Sequence, residues 1–267
     1  MPKLGLIAGN RKFPLLVAAE ANKKGYSVVA IAIKGETHTR LKSLVEKIYW
    51  LGLDEFSRVF EILENEQITE VVMAGQISPL QLFRPKIRNS LELRSLLDSL
   101  KDKRADTIFG AFAKKLEGHG IKVLDSTFLL SKFLPSKGVL TQKQPGSLQL
   151  EDIQLGFSIA KEVGRLDIGQ TAAIKDKAIV AIEALEGTDN LINRAGRITS
   201  SGVIIIKVSK PAQDMRFDVP VVGLNTIKNL IRARAAGLAI EGGKTLFIDR
   251  QEALALADKK GLFIVAL

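Results

Sequence analysis

The sequence predicts an α/β protein, in which an N-terminal Rossmann-like domain with a parallel sheet is joined by a hinge to a C-terminal mixed α+β domain. Apolar, β-branched runs alternate with amphipathic stretches in the first half, as in doubly wound folds. A segment rich in proline and glycine, residues 135–147, then interrupts the pattern. After it, two alternating runs meet at a turn, which indicates an antiparallel hairpin.

The first half is predicted to alternate strand and helix in order. Pro14 suits the first turn of a helix and Gly25 its end, while SVVAIAI (27–33) is typical of a parallel strand buried on both faces. Asp106 is expected to cap a later helix. The predicted strands are Leu4–Ala8, Ser27–Ile33, Ile48–Leu51, Glu70–Gly75 and Ile121–Leu124. The predicted helices are Phe13–Lys24, Asp54–Glu64, Ser90–Leu100 and Asp106–Glu117.

The predicted domains are residues 1–134, a linker at 135–147, and residues 148–267, which are expected to carry an acidic site. Asn225 is expected to cap one helix of the second half, and Asp249 with Glu252 to form a capping box for another. The predicted helices are Glu151–Val163, Thr188–Arg194, Thr226–Ala236 and 249–260. The predicted strands are Gln170–Ile174, Ala178–Glu183, Gly202–Val208, Lys244–Ile248 and Leu262–Leu267.

Composition excludes several classes of function. The absence of cysteine excludes disulfides and thiolate chemistry, and two histidines are too few to suggest a histidine metal site. No serine hydrolase elbow, Walker loop or zinc peptidase motif is present. The net charge of +10 favours an anionic partner, yet the basic residues are scattered and aromatics make up 6%, so nucleic acid is not expected. No run of about 20 apolar residues occurs and the start is strand-like, so we expect a cytoplasmic protein.

Three residues are expected at the carboxyl edge of the first sheet, where α/β proteins bind ligands. Gly9 and Asn10 follow the first strand, and Gly75 follows the fourth. The turn GNRKFP holds one glycine and lacks the G-x-G-x-x-G fingerprint, so it favours a single phosphate or nucleoside over a dinucleotide. The alternative is that Gly9 merely permits a tight turn.

Residues 181–223 concentrate charge to a degree unusual for a core segment. Asp214 and Asp218 could converge and, beside other acids, hold a hard cation such as Mg²⁺ for phosphoryl chemistry. Cations of the same stretch could neutralise a pyrophosphate. The alternative is a surface ion-pair network. The candidate substrate-binding residues of the second half are Gln170, Glu183, Gly187, Thr188, Asp189, Arg194, Lys210, Gln213 and Arg216.

Four motifs together resemble the UDP-2,3-diacylglucosamine pyrophosphatase family that is unrelated to calcineurin-like phosphoesterases. They are LGLIAGN, ADTIFGAFAKKLEGHGIKVLDSTFLL, DIGQTAAIKDKAIVAIEALEGTDNLINRAG and KPAQDMRFDVPVVGLNTI. Asn10-Arg11 departs from the family, in which a second glycine often follows the first strand. The resemblance covers nearly the whole chain and implies two domains with substrate in the cleft between them.

The resemblance further implies Mg²⁺-dependent hydrolysis of UDP-2,3-diacylglucosamine to UMP and 2,3-diacylglucosamine 1-phosphate in lipid A biosynthesis. It implies an essential aspartate in QDMRFDVP, which is Asp218 or Asp214, both catalytic and metal-ligand candidates. A basic surface suits the anionic inner membrane, so a peripheral protein is expected. A homo-oligomer is left open.

Two other functions compete with hydrolysis. The first is a nucleotide-sugar or lipid-phosphate binding protein without turnover, which would bind UDP ligands without metal. The second is an NAD(P)-dependent oxidoreductase. It is weakened by the missing glycine fingerprint and by Lys34, which stands where an acidic residue would end the second strand.

Overall fold

A computed structural model describes residues 1–77, 98, 100, 102 and 104–267 of the chain. These residues form two compact units. The N-terminal unit comprises Met1–Leu130 together with Asp214–Asp218, and the C-terminal unit comprises Ser131–Gln213 and Val219–Leu267. We refer to Asp214–Asp218 as the inserted segment, because it comes from the second half of the sequence but belongs to the first unit.

The N-terminal unit is built on a five-stranded parallel sheet with the order β3-β2-β1-β4-β5. The central strands are almost entirely apolar and buried, which is how parallel strands covered on both faces are composed. The strands are β1 (Lys3–Ala8), β2 (Ser27–Ile33), β3 (Lys47–Leu51), β4 (Glu70–Ala74) and β5 (Lys122–Val123). The helices among the described residues of this unit are α1 (Phe13–Lys23), α2 (Arg58–Asn65) and α3 (Ala105–Gly118).

The predicted strands of this unit are confirmed, whereas one predicted helix cap is wrong. Helix α3 begins at Ala105, and its N-cap is Arg104, whose backbone is extended. Asp106 therefore lies inside the helix, past the position from which a side chain caps the first turn. The helix predicted over Ser90–Leu100 falls mostly outside the described residues.

The C-terminal unit is built on a six-stranded mixed sheet with the order β6-β13-β11-β9-β7-β8. Strands β9, β11 and β13 run parallel, and β6, β7 and β8 join their neighbours antiparallel. The six strands are β6 (Gly138–Val139), β7 (Thr171–Lys175), β8 (Ala178–Ile182), β9 (Ile204–Lys207), β11 (Gly237–Ile240) and β13 (Phe263–Ala266). A separate parallel pair consists of β10 (Val221–Val222) and β12 (Leu246–Phe247).

Four helices pack with these strands. The helix that contains Gly156 packs very closely on the sheet, since a Cβ at this glycine would lie only 2.6 Å from Ile206 Cδ1. The helices are α4 (Ser147–Arg165), α5 (Thr188–Thr199), α6 (Leu224–Arg232) and α7 (Arg250–Lys259). In the part of the chain that the structure describes, no helix has the length and apolar character needed to cross a membrane.

The segment predicted as a linker, residues 135–147, contributes to the C-terminal sheet. Strand β6 pairs antiparallel with β13, and Ile264 N donates to Thr141 Oγ1 at 2.8 Å. The linker prediction is therefore wrong for these residues. Proline and glycine are common in short edge strands as well as in linkers, so composition alone did not distinguish the two.

Two further predicted caps are wrong. Helix α6 begins after Gly223, whose N–H donates to Thr226 Oγ1 at 3.3 Å, so Asn225 lies within the helix. Asp249 does occupy the N-cap position of α7, but its φ of 54° is left-handed and its side chain makes no capping bond. A capping side chain requires extended backbone at the N-cap, and Asp249 lacks that conformation.

Candidate functional site

The turns after β1 and β4 meet at the carboxyl edge of the N-terminal sheet. Gly9 N donates to Ala74 O at 2.8 Å, and Asn10 N donates to Gln76 O at 2.8 Å. A Cβ at Gly9 would lie 2.6 Å from Gln76 O, and one at Gly75, whose φ is +87°, would lie 2.6 Å from Asn10 O. Both glycines are thus required by the contact between the two turns. The structure brings these three predicted residues together, and their role in binding stays a prediction.

Asn10 presents an unsatisfied acceptor at this edge. Its Nδ2 donates to Glu36 Oε2 at 2.8 Å, whereas its Oδ1 is buried and has no hydrogen-bond partner in the described part of the chain. Buried polar atoms are normally satisfied, so an orphaned oxygen calls for an explanation. A ligand hydroxyl or amide would provide one.

The inserted segment is anchored in the N-terminal unit by backbone bonds and one aromatic ring. Ser126 N donates to Met215 O at 2.9 Å, and Ser126 Oγ donates to Arg216 O at 2.7 Å. The Phe217 ring stacks on Phe109 at a centroid distance of 5.8 Å and packs against the core of that unit. These contacts fix the segment that carries both candidate catalytic aspartates.

Within the segment, Asp214 and Arg216 form a close ion pair. Arg216 Nη2 lies 2.7 Å from Asp214 Oδ2, and Nε lies 2.9 Å from Oδ1. The hydrogen bond from Arg216 holds the pKa of Asp214 below its usual range, and Asp214 in turn raises the pKa of Arg216. Arg216 Nη1 also donates to Glu117 Oε1 at 2.6 Å. Arg216, which was predicted to neutralise a pyrophosphate, thus binds two carboxylates in the structure.

Asp218 occupies the other end of the segment. Its N–H donates to Asp214 O at 3.2 Å, which closes a turn of backbone over the ion pair. Both aspartates were predicted to lie in the C-terminal domain, but their contacts place them in the N-terminal unit. The prediction differs from the structure because the contacts that bind the segment to the first unit, with Ser126 and Phe109, join residues that are distant in sequence.

The carboxyl end of β9 carries a second group of predicted residues, in the C-terminal unit. Lys207 lies opposite Thr171 in the sheet register, and Glu183 N donates to Thr171 O. Thr188 Oγ1, at the start of α5, donates to Glu183 Oε1 at 2.8 Å and accepts from Lys207 Nζ at 2.7 Å. We call Thr171, Glu183, Thr188 and Lys207 the Lys207 cluster.

Gln170 and Gly187 border the Lys207 cluster. Gln170 N donates to Glu183 Oε2 at 3.4 Å, and Gln170 Oε1 is buried without a partner among the described residues. Gly187, with φ of +80°, is the N-cap of α5 and provides no side chain to cap it. The sequence motif GQ…EALEGTD therefore converges on one end of one sheet.

The remaining predicted residues of this unit have clear structural partners. Asp189 accepts from Asn229 Nδ2 at 2.8 Å, which ties α5 to α6. Arg194 Nη2 donates to Ile182 O at 2.8 Å and to Glu186. Lys210 Nζ contacts Asp167 Oδ1 at 2.5 Å, and Lys210 N donates to Gln213 Oε1 at 2.9 Å. The contacts of these residues require no ligand.

Sequence reasoning missed a buried carboxylate network beside the Lys207 cluster. Glu241 Oε2 accepts from Ser209 N at 2.9 Å, from Ser209 Oγ at 2.7 Å and from Lys161 Nζ at 2.6 Å. Lys244 contacts the other oxygen at 2.9 Å. Burial alone would raise the pKa of Glu241, but the bonds from Lys161, Ser209 and Lys244 lower it to about 2.

We expect this network to make the C-terminal unit sensitive to acid. Because the pKa of Glu241 is lower in the folded chain than its ordinary value of 4.5, its stabilisation is complete above pH 4.5 and is lost as the pH falls toward about 2. The loss should amount to about 2 kcal/mol. Urea unfolding of wild type and Glu241→Gln between pH 7 and pH 3 measures it. The variant should show the flatter dependence, and parallel curves would contradict the assignment.

The described residues contain no group of three or more histidine, cysteine, aspartate or glutamate side chains placed to hold a metal ion. Asp214 uses both oxygens on Arg216. A complete protein shell for Mg²⁺ is thus not formed by this part of the chain. Mg²⁺ in phosphate-handling sites is commonly held by one or two carboxylates together with water and substrate phosphates. The carboxylates of the described residues fit a site of this kind, in which the protein provides only one or two of the ligands.

Each unit has a sheet with polar and charged side chains at the carboxyl ends of its parallel strands, which is the position where α/β proteins commonly bind ligands. Comparison of the sequence with known families is consistent with this class. The LpxI N-terminal domain matches residues 3–133, and the LpxI C-terminal domain matches residues 136–265. The chain therefore belongs to the LpxI family.

One curated relative aligns over nearly its full length. The chain is 29% identical over 277 aligned positions to UDP-2,3-diacylglucosamine pyrophosphatase LpxI of Caulobacter vibrioides, covering 100% of this chain and 98% of the relative.

Solved structures give a weaker likeness. N5-carboxyaminoimidazole ribonucleotide synthetase from Thermotoga maritima is 14% identical, with a TM-score of 0.24, over 70% of this chain and 43% of that one. The biotin carboxylase domain of Hydrogenobacter thermophilus 2-oxoglutarate carboxylase is 16% identical, with a TM-score of 0.29, over 75% and 42%. The chain spans less than half the length of these structures, and TM-scores this low establish no shared fold.

Proposed function

We propose that this protein hydrolyses the pyrophosphate bond of UDP-2,3-diacylglucosamine to UMP and 2,3-diacylglucosamine 1-phosphate, a step of lipid A biosynthesis. The observation that carries the proposal is the match of both LpxI domains together with the full-length alignment to a pyrophosphatase of that name. Water supplies the oxygen that bonds to one phosphorus, and the bond from that phosphorus to the bridging oxygen breaks. The products are the same whichever phosphorus is attacked.

We assign the essential carboxylate to Asp218. Asp214 is engaged on both oxygens by Arg216, so its function is to hold the inserted segment in shape. Asp218 lies in the same anchored segment and is half-buried. A carboxylate there accepts the proton that the attacking water loses, a role that typically contributes between about 10² and 10⁴ in rate.

Mg²⁺ belongs to this proposal as the cofactor. When bound, it would neutralise negative charge on the pyrophosphate. Asp218 is the side chain of the inserted segment that we propose as its protein ligand, with substrate phosphates and water completing the shell. Glu183, Thr188 and Gln170 are retained as substrate-binding candidates at the C-terminal sheet.

Two finer assignments complete the proposal. The strand order β3-β2-β1-β4-β5 supports a Rossmann-like N-terminal unit. The net charge of +10 supports peripheral binding to the anionic face of the inner membrane from the cytoplasm, where the diacylated substrate resides. Co-sedimentation with anionic vesicles tests that assignment, and recovery of all protein in the supernatant would contradict it.

The test of function is release of UMP from UDP-2,3-diacylglucosamine, measured with Mg²⁺ and with EDTA. We expect metal-dependent release of equal amounts of UMP and 2,3-diacylglucosamine 1-phosphate. The unsatisfied acceptors Asn10 Oδ1 and Gln170 Oε1 are compatible with a second function, ligand binding without turnover. Tight UDP binding by folded protein that releases no UMP would favour that alternative over hydrolysis.

A further inference from the structure

Lys207 stands out among the cations of the C-terminal unit because it is buried without an ion-pair partner. The residue is 7% exposed. Its ammonium donates to Thr188 Oγ1 at 2.7 Å, and among the described residues no carboxylate lies at ion-pair distance from it. Two nearby lysines differ, since Lys161 contacts Glu241 at 2.6 Å and Lys210 contacts Asp167 at 2.5 Å.

A buried cation with one hydrogen bond is costly unless something else compensates its charge. An ammonium has three N–H donors, and Thr188 uses one of them. Thr188 Oγ1 gives its own proton to Glu183, so its lone pairs are directed at Lys207. The Lys207 cluster thus holds the ammonium in one orientation and leaves two of its donors for another acceptor.

The start of helix α5 adds positive potential at the same place. Thr188 is the first residue of this 12-residue helix, and the Gly187 N-cap offers no side-chain acceptor to its first turn. Free N–H groups at a helix start favour anions, and a buried ammonium next to them strengthens that preference. The acid of this first turn, Asp189, accepts from Asn229 Nδ2 and Asn225 Nδ2. Glu183 is separated from the ammonium by the Thr188 hydroxyl, and its two oxygens accept from Thr188 and Gln170 N.

We propose that Lys207 and the first turn of α5 form a phosphoryl-binding site, in which the ammonium donates to a pyrophosphate oxygen of the nucleotide sugar. The identity of this ligand rests on the proposed function, whereas the anion site itself rests on the geometry. Gln170 Oε1, a buried acceptor without a partner beside the cluster, suits a hydroxyl donor on the same ligand. A sugar phosphate provides both groups.

Binding of UDP and of uridine, each measured by calorimetry, tests this site with and without the phosphates. Lys207→Gln should raise the dissociation constant of UDP about 10- to 100-fold, as expected for loss of a charged hydrogen bond, and should leave uridine binding unchanged. Lys207→Arg should retain much of the affinity. Lys228→Gln, at an exposed lysine of α6, is the matched control and should bind UDP like wild type.

The melting temperature and kcat/KM of Lys207→Gln distinguish phosphoryl binding from a merely structural role of Lys207, and they test the site independently of the proposed function. A phosphoryl-binding Lys207 predicts a melting temperature for Lys207→Gln that equals or exceeds wild type, together with a kcat/KM for UMP release lowered about 10- to 100-fold. Active wild type with an unimpaired Lys207→Gln would overturn the site and leave hydrolysis standing. Wild type without turnover, but with Lys207-dependent UDP binding, would support the site and refute hydrolysis. Lowered stability with unchanged UDP binding would also overturn the site.

Discussion

Asp218→Asn is expected to reduce the rate of UMP release about 10³-fold while the protein stays folded. The reason is that an amide cannot accept the proton that the attacking water must lose, and general base catalysis is typically worth between about 10² and 10⁴. Asp214→Asn should cost less, about 10-fold, because it weakens the contact with Arg216 that shapes the segment. Both effects are measured as kcat at saturating substrate.

The control for these two variants is Asp176→Asn, at an exposed turn position of the β7–β8 hairpin, which should be fully active. Circular dichroism and melting temperature confirm folding of all three variants. An Asp214→Asn variant that is inactive beside an active Asp218→Asn would reverse the assignment of the essential acid. Full activity of both would remove the inserted segment from the mechanism.

Phe217→Ala is expected to lower the free energy of unfolding by about 2 kcal/mol and the rate of UMP release by more than 10-fold. The half-buried ring packs against the core of the N-terminal unit, and its loss leaves a cavity at the point where the segment is attached. Asp218 is the next residue, so a loosened attachment would misplace its carboxylate. Phe217→Leu should recover most of both losses.

Phe56→Ala provides the matched comparison for Phe217→Ala. Phe56 is also half-buried and packs against the same core cluster, where it contacts Phe60 and Phe112. Its replacement should lower stability by a similar amount and leave UMP release nearly unchanged. Equal losses of activity in both variants would mean that Phe217 acts through general stability and not through the placement of the aspartates.

Local signals in the sequence were sufficient for the strands of the N-terminal sheet, because long apolar runs such as Ser27–Ile33 have few alternatives to burial in a sheet. In the C-terminal unit the short strands β6, β10 and β11 were not predicted. Local signals were also insufficient for helix caps. Asp106, Asn225 and Asp249 are residue types that favour caps, but helix starts depend on the backbone conformation that tertiary packing imposes.

In the candidate site, too, local sequence signals predicted some residues, whereas others depend on tertiary contacts. Gln170, Glu183 and Thr188 were predicted as substrate-binding residues from the sequence, and the structure brings the three together. Lys207 had a local signal, a charge directly after three isoleucines, yet its burial and lack of an ion-pair partner depend on the strand register. The place of Asp214–Asp218 in the N-terminal unit depends on Ser126 and Phe109, contacts that no local pattern reveals.

The inserted segment also has a consequence for synthesis of the chain on the ribosome. Domains generally fold as units, N-terminal first, while translation continues. Here the N-terminal unit lacks Asp214–Asp218 until residues 131–213 have been made, so until then the backbone N–H of Ser126 has no Met215 carbonyl to bind and the ring of Phe109 lacks Phe217. An isolated fragment of residues 1–130 would remain in that unfinished state permanently. Domain boundaries drawn along the sequence would therefore divide a structural unit that is completed only late in translation.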